Sequence, residues 1–586
     1  MKRQEVRPLQ KNDIRTCEIT DFGENGEGIG RASGIPVFVS GALIGDTVKI
    51  KITKVKKKMA YARVEEILSP SPDRVAPACP VAAQCGGCQI MSYAYPAQLK
   101  YKEQKIRSLL QRIGHFDAEE IDGVLHPVIG MEAPYRFRNK AQVPVGFASA
   151  KAVVQPAASA RADVRALPAR AEECAAAGMR DIVTGYYATH SHRIVPHEDC
   201  LIGDPLNAEI LRIIREHMKQ YDIPPYDEET HSGLVRHVLI RRGFATGEVM
   251  VCLVLNRRAE ALQGQTSPEQ GGTSVVQEEE FIPAQNRLTE SLQFCVKDFA
   301  ERQKQSAHAG DAAAGLRQNG YTECCGSQPP CLASVCVNFN PQRTNVILGK
   351  ETRTIHGRPY IEDVLSGLRF RISAQSFYQT NPYITERLYG RIAELVRDAI
   401  HGLPPEAAHP PGKDSAPVIW DLYCGIGTIS LTLARSLGTS RIYGIEIVPQ
   451  AIADAKENAA LNGINNVTFR CADAAEAKHL PHPDIIIVDP PRKGCERALL
   501  DTILTASPAH IIYVSCDPAT LARDLRILSE AGYRPQHIQP YDMFSHSVHV
   551  ETVVYLSKLK SDEHVKVGVD MSEFEPTGSE RRKLWT

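Results

Sequence analysis

The stretch Val418-Ile-Trp-Asp-Leu-Tyr-Cys-Gly-Ile-Gly-Thr-Ile-Ser430 decides the fold. An apolar run of strand length ends on an acid, turns through two glycines and passes into a helical pattern. The same rhythm continues through Ile442-Tyr-Gly-Ile-Glu446, Val467-Thr-Phe-Arg-Cys471, Ile485-Ile-Ile-Val-Asp489 and Ile511-Ile-Tyr-Val514. Short apolar strands alternating with helices predict a doubly wound parallel sheet, an α/β fold. Upstream, Leu368-Arg-Phe-Arg-Ile-Ser373 alternates as a strand and runs into Ala374-Gln-Ser-Phe-Tyr-Gln-Thr-Asn-Pro382, then a helix to Ile400.

At the first switch point Gly425 and Gly427 let the backbone approach a ligand closely, and Glu446 ends the next strand where ribose hydroxyls are held. A dinucleotide fingerprint needs a third glycine to seat a pyrophosphate, and position 430 is serine. The loop also opens on an acid. Both features favour S-adenosylmethionine, which carries no phosphate, over NAD. With Asp489-Pro-Pro-Arg-Lys-Gly494 the set resembles class I S-adenosylmethionine-dependent methyltransferases (Rossmann-like). Amino-methyltransferases follow the two prolines with an aromatic that stacks on an amine-bearing base. Arg492 stands there instead, which points to carbon as the acceptor.

In Tyr513-Val-Ser-Cys-Asp-Pro-Ala-Thr-Leu-Ala-Arg-Asp524 a strand ends just before Cys516, and Asp517 and Pro518 start a helix over Ala519 to Leu528. A thiol at a helix mouth is expected to have a lowered pKa. A lone cysteine is more often a small core residue, but carbon methylation gives this one a use. Pyrimidine C5 is a poor nucleophile; a thiolate adding at C6 makes an enolate that can attack a methyl donor. A base must then take the C5 proton so that the thiol can leave. Met543-Phe-Ser-His-Ser-Val-His-Val-Glu551 puts Glu551 at the start of a terminal apolar strand, where burial would suit it to proton removal.

The rest of the 586 residues reads as further domains, three or four by length. From Gln10 to Ile67, short strands with glycine punctuation predict a five-stranded barrel, and Lys49-Ile-Lys-Ile-Thr-Lys-Val-Lys-Lys-Lys58 lines one edge with ammonium groups. Gly23-Glu-Asn-Gly-Glu-Gly-Ile-Gly-Arg31 with the lysine run resembles a TRAM domain, an OB-like RNA-binding barrel. A hinge, Ser69-Pro-Ser-Pro-Asp-Arg74, precedes Cys79-Pro-Val-Ala-Ala-Gln-Cys85-Gly-Gly-Cys88. Three thiols on a glycine-rich loop converge on one centre, and Cys200 is the candidate fourth; spacing does not separate zinc from an iron–sulfur cluster. Gln98 to Gly114 is an amphipathic helix. Arg136, Arg138 and Lys140 share one face of a strand and are candidates for RNA phosphate.

Two segments, 147–180 and 262–332, read as mobile surface insertions, the second with a helical patch from Gln285 to Gln303. Cys324, Cys325, Cys331 and Cys336 lack the spacing of a second metal site. No run reaches membrane-span length and no apolar signal core follows the basic N-terminus, so a cytoplasmic location with no membrane partner is expected. The net charge of -1 excludes a chain that is basic throughout, not a local basic surface.

Ser515-Cys-Asp-Pro-Ala-Thr-Leu-Ala-Arg-Asp524, His549-Val-Glu551, Asp421-Leu-Tyr-Cys-Gly-Ile-Gly-Thr428 and Ser376-Phe-Tyr-Gln-Thr-Asn381 resemble the TrmA/RumA family of RNA uracil-C5 methyltransferases. The resemblance implies Cys516 as nucleophile and Glu551 as proton acceptor. It implies Gln379, Tyr423, Thr428, Glu446, Asp473 and Asp489 around S-adenosylmethionine, and Phe377 stacked on the target uracil. It implies Cys79, Cys85, Cys88 and Cys200 as ligands of a [4Fe-4S] cluster. Barrel plus cluster resembles the members that modify 23S ribosomal RNA, acting as a monomer; tRNA-modifying members typically lack both. The expected layout is the barrel at 1–68, a central cluster-bearing domain at 69–372 with both insertions, the catalytic domain at 373–557 and an extension at 558–586. A tRNA enzyme of the same chemistry, or a catalytically inactive iron–sulfur RNA-binding factor, are the competing readings.

Overall fold

The computed structural model describes residues 9–148, 181–258, 278–308, 328–402 and 416–558. Strands β1 (Ile14–Phe22), β2 (Gly28–Ala32), β3 (Ile35–Ser40), β4 (Thr47–Val55) and β5 (Ala60–Ser69) close into a barrel in the order β1-β2-β3-β5-β4. Alternation builds it: Val48, Ile50 and Ile52 are fully buried while Lys49 and Lys51 between them face outward. Gly30 is required, since a Cβ there would fall 2.2 Å from the Glu18 carbonyl on the neighbouring strand. The hinge that follows is bolted down rather than loose. Buried Asp46 accepts the Ser71 amide at 2.8 Å and pairs with Arg74.

After helices α1 (Tyr95–Arg112) and α2 (Ala118–Val124) come β6 (Lys140–Phe147), β7 (Ile182–Tyr187), β8 (Ile194–Pro196), α3 (Leu206–Gln220), β9 (Val235–Arg242) and β10 (Glu248–Leu255). Helix α4 (Glu278–His308) and strands β11 (Cys331–Phe339) and β12 (Glu351–Gly357) complete a seven-stranded sheet ordered β12-β11-β10-β9-β6-β7-β8. The strand expected around Arg136 starts later, at Lys140. Arg136 sits at φ 55° with its guanidinium buried against Asp199 (2.6 and 2.7 Å) and the Cys200 carbonyl (2.9 Å), so it holds protein rather than phosphate.

The expectation of a mobile excursion at 262–332 is corrected for residues 278–308. Strands β10 and β11 pair in parallel, and parallel neighbours need a crossover that carries the chain back along the sheet. Helix α4 lies on that crossover. Its Leu288, Leu292, Val296 and Phe299 are buried with Val249, Val251, Val335 and Val337 of the sheet. Segment 149–180 and the tail beyond 558 lie outside the described residues.

A hairpin of β13 (Tyr360–Leu365) and β14 (Leu368–Ser373) leads to helix α5 (Pro382–His401), capped by Asn381. Then come β15 (Val418–Leu422), α6 (Thr428–Leu437), β16 (Arg441–Glu446), α7 (Pro449–Leu461), β17 (Val467–Cys471), β18 (Ile485–Val488), α8 (Arg497–Ala506), β19 (His510–Ser515), α9 (Pro518–Glu530), β20 (Tyr533–Tyr541) and β21 (Glu551–Lys558). Their sheet order is β17-β16-β15-β18-β19-β21-β20, parallel except for antiparallel β21. The order reverses between β15 and β18, which opens a crevice at the carboxyl ends of those strands.

Candidate active site

The glycine loop stands on that crevice. Asp421 at the end of β15 is buried; one carboxyl oxygen takes the Ser430 hydroxyl and the other, Oδ1, finds no partner among the described residues. Burial, with Glu446 nearby, pushes its carboxyl up to about 7. Gly427 caps α6 at φ 83°, where a Cβ would press to 2.7 Å on Phe469. Thr428 Oγ1 lies 2.9 Å from the Tyr389 hydroxyl of α5. Glu446 accepts the Val448 amide at 3.0 Å and Asp473 the Ala475 amide at 2.9 Å, so both carboxylates are set at strand ends by their own turns. The Gln379 carbonyl accepts from Asn139 at 3.0 Å, which fixes the loop after β14. The residues fit a ligand with an amino-acid end and a ribose: acceptors at Asp421, Glu446 and Asp473, and a glycine turn that leaves the backbone open. Asp421 was legible only as acidity at the loop's start.

Cys516 follows β19 at the same edge. Its helix is capped by Asp517, whose carboxylate accepts the Ala519 and Thr520 amides at 2.9 and 3.0 Å. The expected lowering of the Cys516 pKa is therefore corrected. The helix end is already satisfied by a carboxylate, and burial, then the negative charge of Glu551, push the thiol up to about 11. Arg492 draws it the other way. Glu551 is 3% exposed, and burial together with neighbouring Asp489 raises its carboxyl well above the ordinary range. Asp489 itself is pushed up to about 7 by burial and then by Asp421. The structure thus gathers Cys516, Glu551, Asp489 and Arg492 into one electrostatic group.

Sequence reasoning missed what holds Glu551 in that group. The segment from Asp542 to Val550 is gripped by one face of α1. The Tyr95 hydroxyl donates to Asp542 at 2.7 Å, Gln98 Oε1 accepts the His546 amide at 3.1 Å, and Lys105 donates to the Val548 carbonyl at 2.9 Å. Lys102, fully buried, pairs with Asp542. Tyr95, Gln98, Lys102 and Lys105 follow at steps of three, four and three, the spacing that aligns residues along a helix face. His546 adopts φ 63°, unusual for a residue with a side chain, and these contacts over-determine it.

Cys516, Arg492 and His549 open onto a cleft of about 1050 Å³. Its other walls are the barrel, with Phe38, Met59 and Tyr61, and α1, with Lys100, Lys105 and Arg112. The Phe38 and Tyr61 rings stack at 5.5 Å. His549 is held neutral, its imidazole pushed down to about 4 by burial and then by Arg492 and the α1 lysines. Phe377 is 64% exposed on the loop after β14 and does not line this cleft.

Cys79, Cys85, Cys88 and Cys200 are brought together: the thiolate charge of each of the other three raises Cys88, after burial. The Gly87 amide points at Cys85 Sγ (3.4 Å), and Gly86 bonds the Tyr187 carbonyl so closely that a Cβ would lie 3.0 Å from it. Met91, Phe137 and Ile202 pack against Cys79, Cys88 and Cys200, which are half-buried. Among the described residues, however, no three or more His, Cys, Asp or Glu side chains form a metal-ion ligand set. The donor chemistry, four thiols with an amide aimed at one sulfur, fits zinc or an iron–sulfur cluster alike; a closed ligand shell is not formed. Cys336 is an ordinary core residue of β11.

A Rossmann-like sheet with this glycine turn defines a methyltransferase, and comparison with known proteins bears that out. A methyltransferase-domain model matches residues 413–515, a TRAM-domain model residues 8–64, and a tRNA (uracil-5-)-methyltransferase model residues 481–559. An uncharacterised RNA methyltransferase of Halalkalibacterium halodurans is 37% identical over 556 residues, 94% of this chain and 98% of the relative. One of Clostridium tetani is 34% identical over 557 residues, 94% and 97% of the two chains. The chain belongs to this family of RNA methyltransferases, the TrmA/RumA type. Among solved structures, Pyrococcus abyssi tRNA (uracil-54, C5)-methyltransferase in complex with S-adenosyl-L-homocysteine superposes with a TM-score of 0.59 at 21% identity, covering 92% of this chain and 100% of its own. No helix among the described residues is long and apolar enough to cross a membrane.

Proposed function

We propose that the chain methylates C5 of a uridine in RNA, and that Cys516 and Glu551 perform the covalent chemistry. The observation that carries this is one thiol facing an RNA-sized cleft with a buried, proton-hungry carboxyl beside it. Bound S-adenosylmethionine supplies an electrophilic methyl group, and Asp421, Tyr423, Thr428, Glu446, Asp473, Asp489 and Gln379 are the residues that would hold it. Cys516 Sγ, once deprotonated, bonds to C6, and the C5=C6 electrons move to make C5 the nucleophile. When C5 carries both methyl and hydrogen, the Glu551 carboxylate takes that hydrogen as a proton. The electrons restore C5=C6 and the Sγ–C6 bond breaks, which frees the thiolate. Burial makes Glu551 a stronger base than a free carboxylate, suited to a carbon acid near neutrality. Reaching both faces of a pyrimidine requires the base to leave its stack; we assign Phe377 to stack on it on the family resemblance, since Phe377 lies outside the Cys516 cleft.

The substrate we favour is 23S ribosomal RNA, on the resemblance in barrel and thiol loop. The tRNA reading stands beside it, because a solved tRNA enzyme shares the fold over 92% of this chain, so the barrel alone does not separate the two. The four cysteines we assign to a [4Fe-4S] cluster. Mapping 5-methyluridine by mass in ribosomal and transfer RNA from a deletion strain decides the substrate; unchanged modification everywhere sinks the activity. A denaturant-stable adduct with 5-fluorouridine RNA should form with the native chain and vanish in Cys516→Ala. In Glu551→Gln a methylated adduct on uridine RNA should accumulate. Iron and sulfide bound by the native chain and lost in Cys88→Ser support the cluster; zinc alone overturns it.

A further inference from the structure

Gln89 directly follows the third cysteine of the thiol loop and touches three parts of the molecule at once. Its side-chain oxygen accepts the amide of Val548 at 3.1 Å, three residues before Glu551 opens the last strand. The next residue, Ile90, donates its amide to the His546 carbonyl at 3.0 Å. On the other side the barrel turn closes down: a Cβ on Gly26 would lie 2.5 Å from the Gln89 Cβ. Gln89 also lines the cleft that Cys516 faces.

Glu551 depends on this junction. It enters β21 opposite Tyr541, and the nine residues between form a loop whose His546 holds a left-handed backbone. The Val548 amide is satisfied by the Gln89 side chain in a partly buried contact, and the Val548 residue itself is fully buried, so losing the acceptor leaves a poorly solvated donor. We propose that Gln89 is a positioning residue for the proton acceptor: through Val548 it ties the placement of Glu551 to the thiol loop, and so sets how fast the methylated adduct is released. The proposal rests on the methyltransferase reading and adds to it a role for the thiol loop in the chemistry rather than in folding alone.

The geometry separates two halves of the reaction. Adduct formation on 5-fluorouridine RNA needs the thiol and the methyl donor but stops before proton removal, since fluorine replaces that hydrogen. Turnover on uridine RNA needs both halves. In Gln89→Ala, fluorouridine adduct formation should stay within about twofold of native, while turnover at saturating RNA falls about tenfold, the worth of one buried hydrogen bond, and methylated adduct accumulates. Deuterium exchange of the 545–550 backbone, read by mass spectrometry on the whole chain, should quicken. Gln89→Glu keeps the acceptor oxygen and should restore turnover to within about threefold. Unchanged turnover and exchange in Gln89→Ala overturn the proposal. So does an equal loss of fluorouridine adduct and turnover, or a Gln89→Glu no better than Gln89→Ala. A native chain that forms no fluorouridine adduct would instead sink the methyltransferase reading, and the exchange measurement would still judge the clamp.

Discussion

The Tyr513 hydroxyl donates to the Asp524 carboxylate at 2.7 Å, across the turn that carries Cys516. The same carboxylate accepts the Cys495 amide at 2.8 Å, which ties the Arg492 loop to the helix behind the thiol. Both residues are fully buried. Asp524→Leu leaves two buried donors unpaired and should cost about 2–4 kcal/mol in urea unfolding. Tyr513→Phe removes one donor and should cost only about 1 kcal/mol. Equal effects would mean the shared carboxylate is not what joins the two loops.

The raised Cys516 pKa has a kinetic consequence. With the thiol pushed up to about 11, the thiolate is scarce near neutrality and grows about tenfold per pH unit. The rate of fluorouridine adduct formation should therefore climb with a logarithmic slope near one between about pH 7 and about pH 9. A flat profile would show that the thiol is already ionised when RNA is bound.

Stability of the chain without S-adenosylmethionine should fall as pH rises from about 4 to about 7. Asp421 and Asp489 are pushed up to about 7 in the folded chain, against about 3.9 unfolded. Between those values the folded state holds protons that the unfolded state has released, so the unfolding free energy decreases as pH rises through that window. Asp46 and Asp542 act in the opposite sense: their folded pKa values are lowered by Arg74 and Lys102, and their contribution is lost as pH falls below the carboxylate range. The melting temperature should peak near about pH 4 and be lower at about pH 8. Asp421→Asn should flatten the alkaline side; an unchanged slope would acquit Asp421.

Helix α4 should behave as a structural part of the central sheet. Leu292 is fully buried among the sheet valines, and Leu292→Ala should cost about 2–5 kcal/mol in urea unfolding. A neutral result would return the helix to the status of a tolerated excursion.

The catalytic sheet was legible because its strands are continuous apolar runs ending on chemically loaded residues: Asp421, Glu446, Asp489 and Cys516 all lie where a parallel strand runs out. The barrel was legible from alternation, Val48, Ile50 and Ile52 against Lys49 and Lys51. The helical patch at Gln285 to Gln303 was legible, but its fixed place on the sheet was not, because the sequence around it is polar and broken and only the parallel pairing of β10 with β11 shows why the chain must cross there. The Cys516 pKa was misjudged because burial and the distant Glu551, neither visible in the local sequence, outweigh the helix mouth. The grip of α1 escaped because Lys102 and Lys105 look like solvated charges until Asp542 and the Val548 carbonyl, far along the chain, are brought against them.

That distance sets an order of events on the ribosome. Lys102 and Asp542 are 440 residues apart, and Gln98 and His546 are 448 apart. At about 5–20 residues per second, roughly 20 to 90 seconds separate the two halves of each contact during synthesis. Through that interval the polar face of α1 lacks the Asp542 to Val550 segment that it holds in the folded chain. The nascent chain thus carries one wall of the cleft long before it carries Cys516. Cys516 and Glu551 are translated late, and the hook that places Glu551 has been waiting for them.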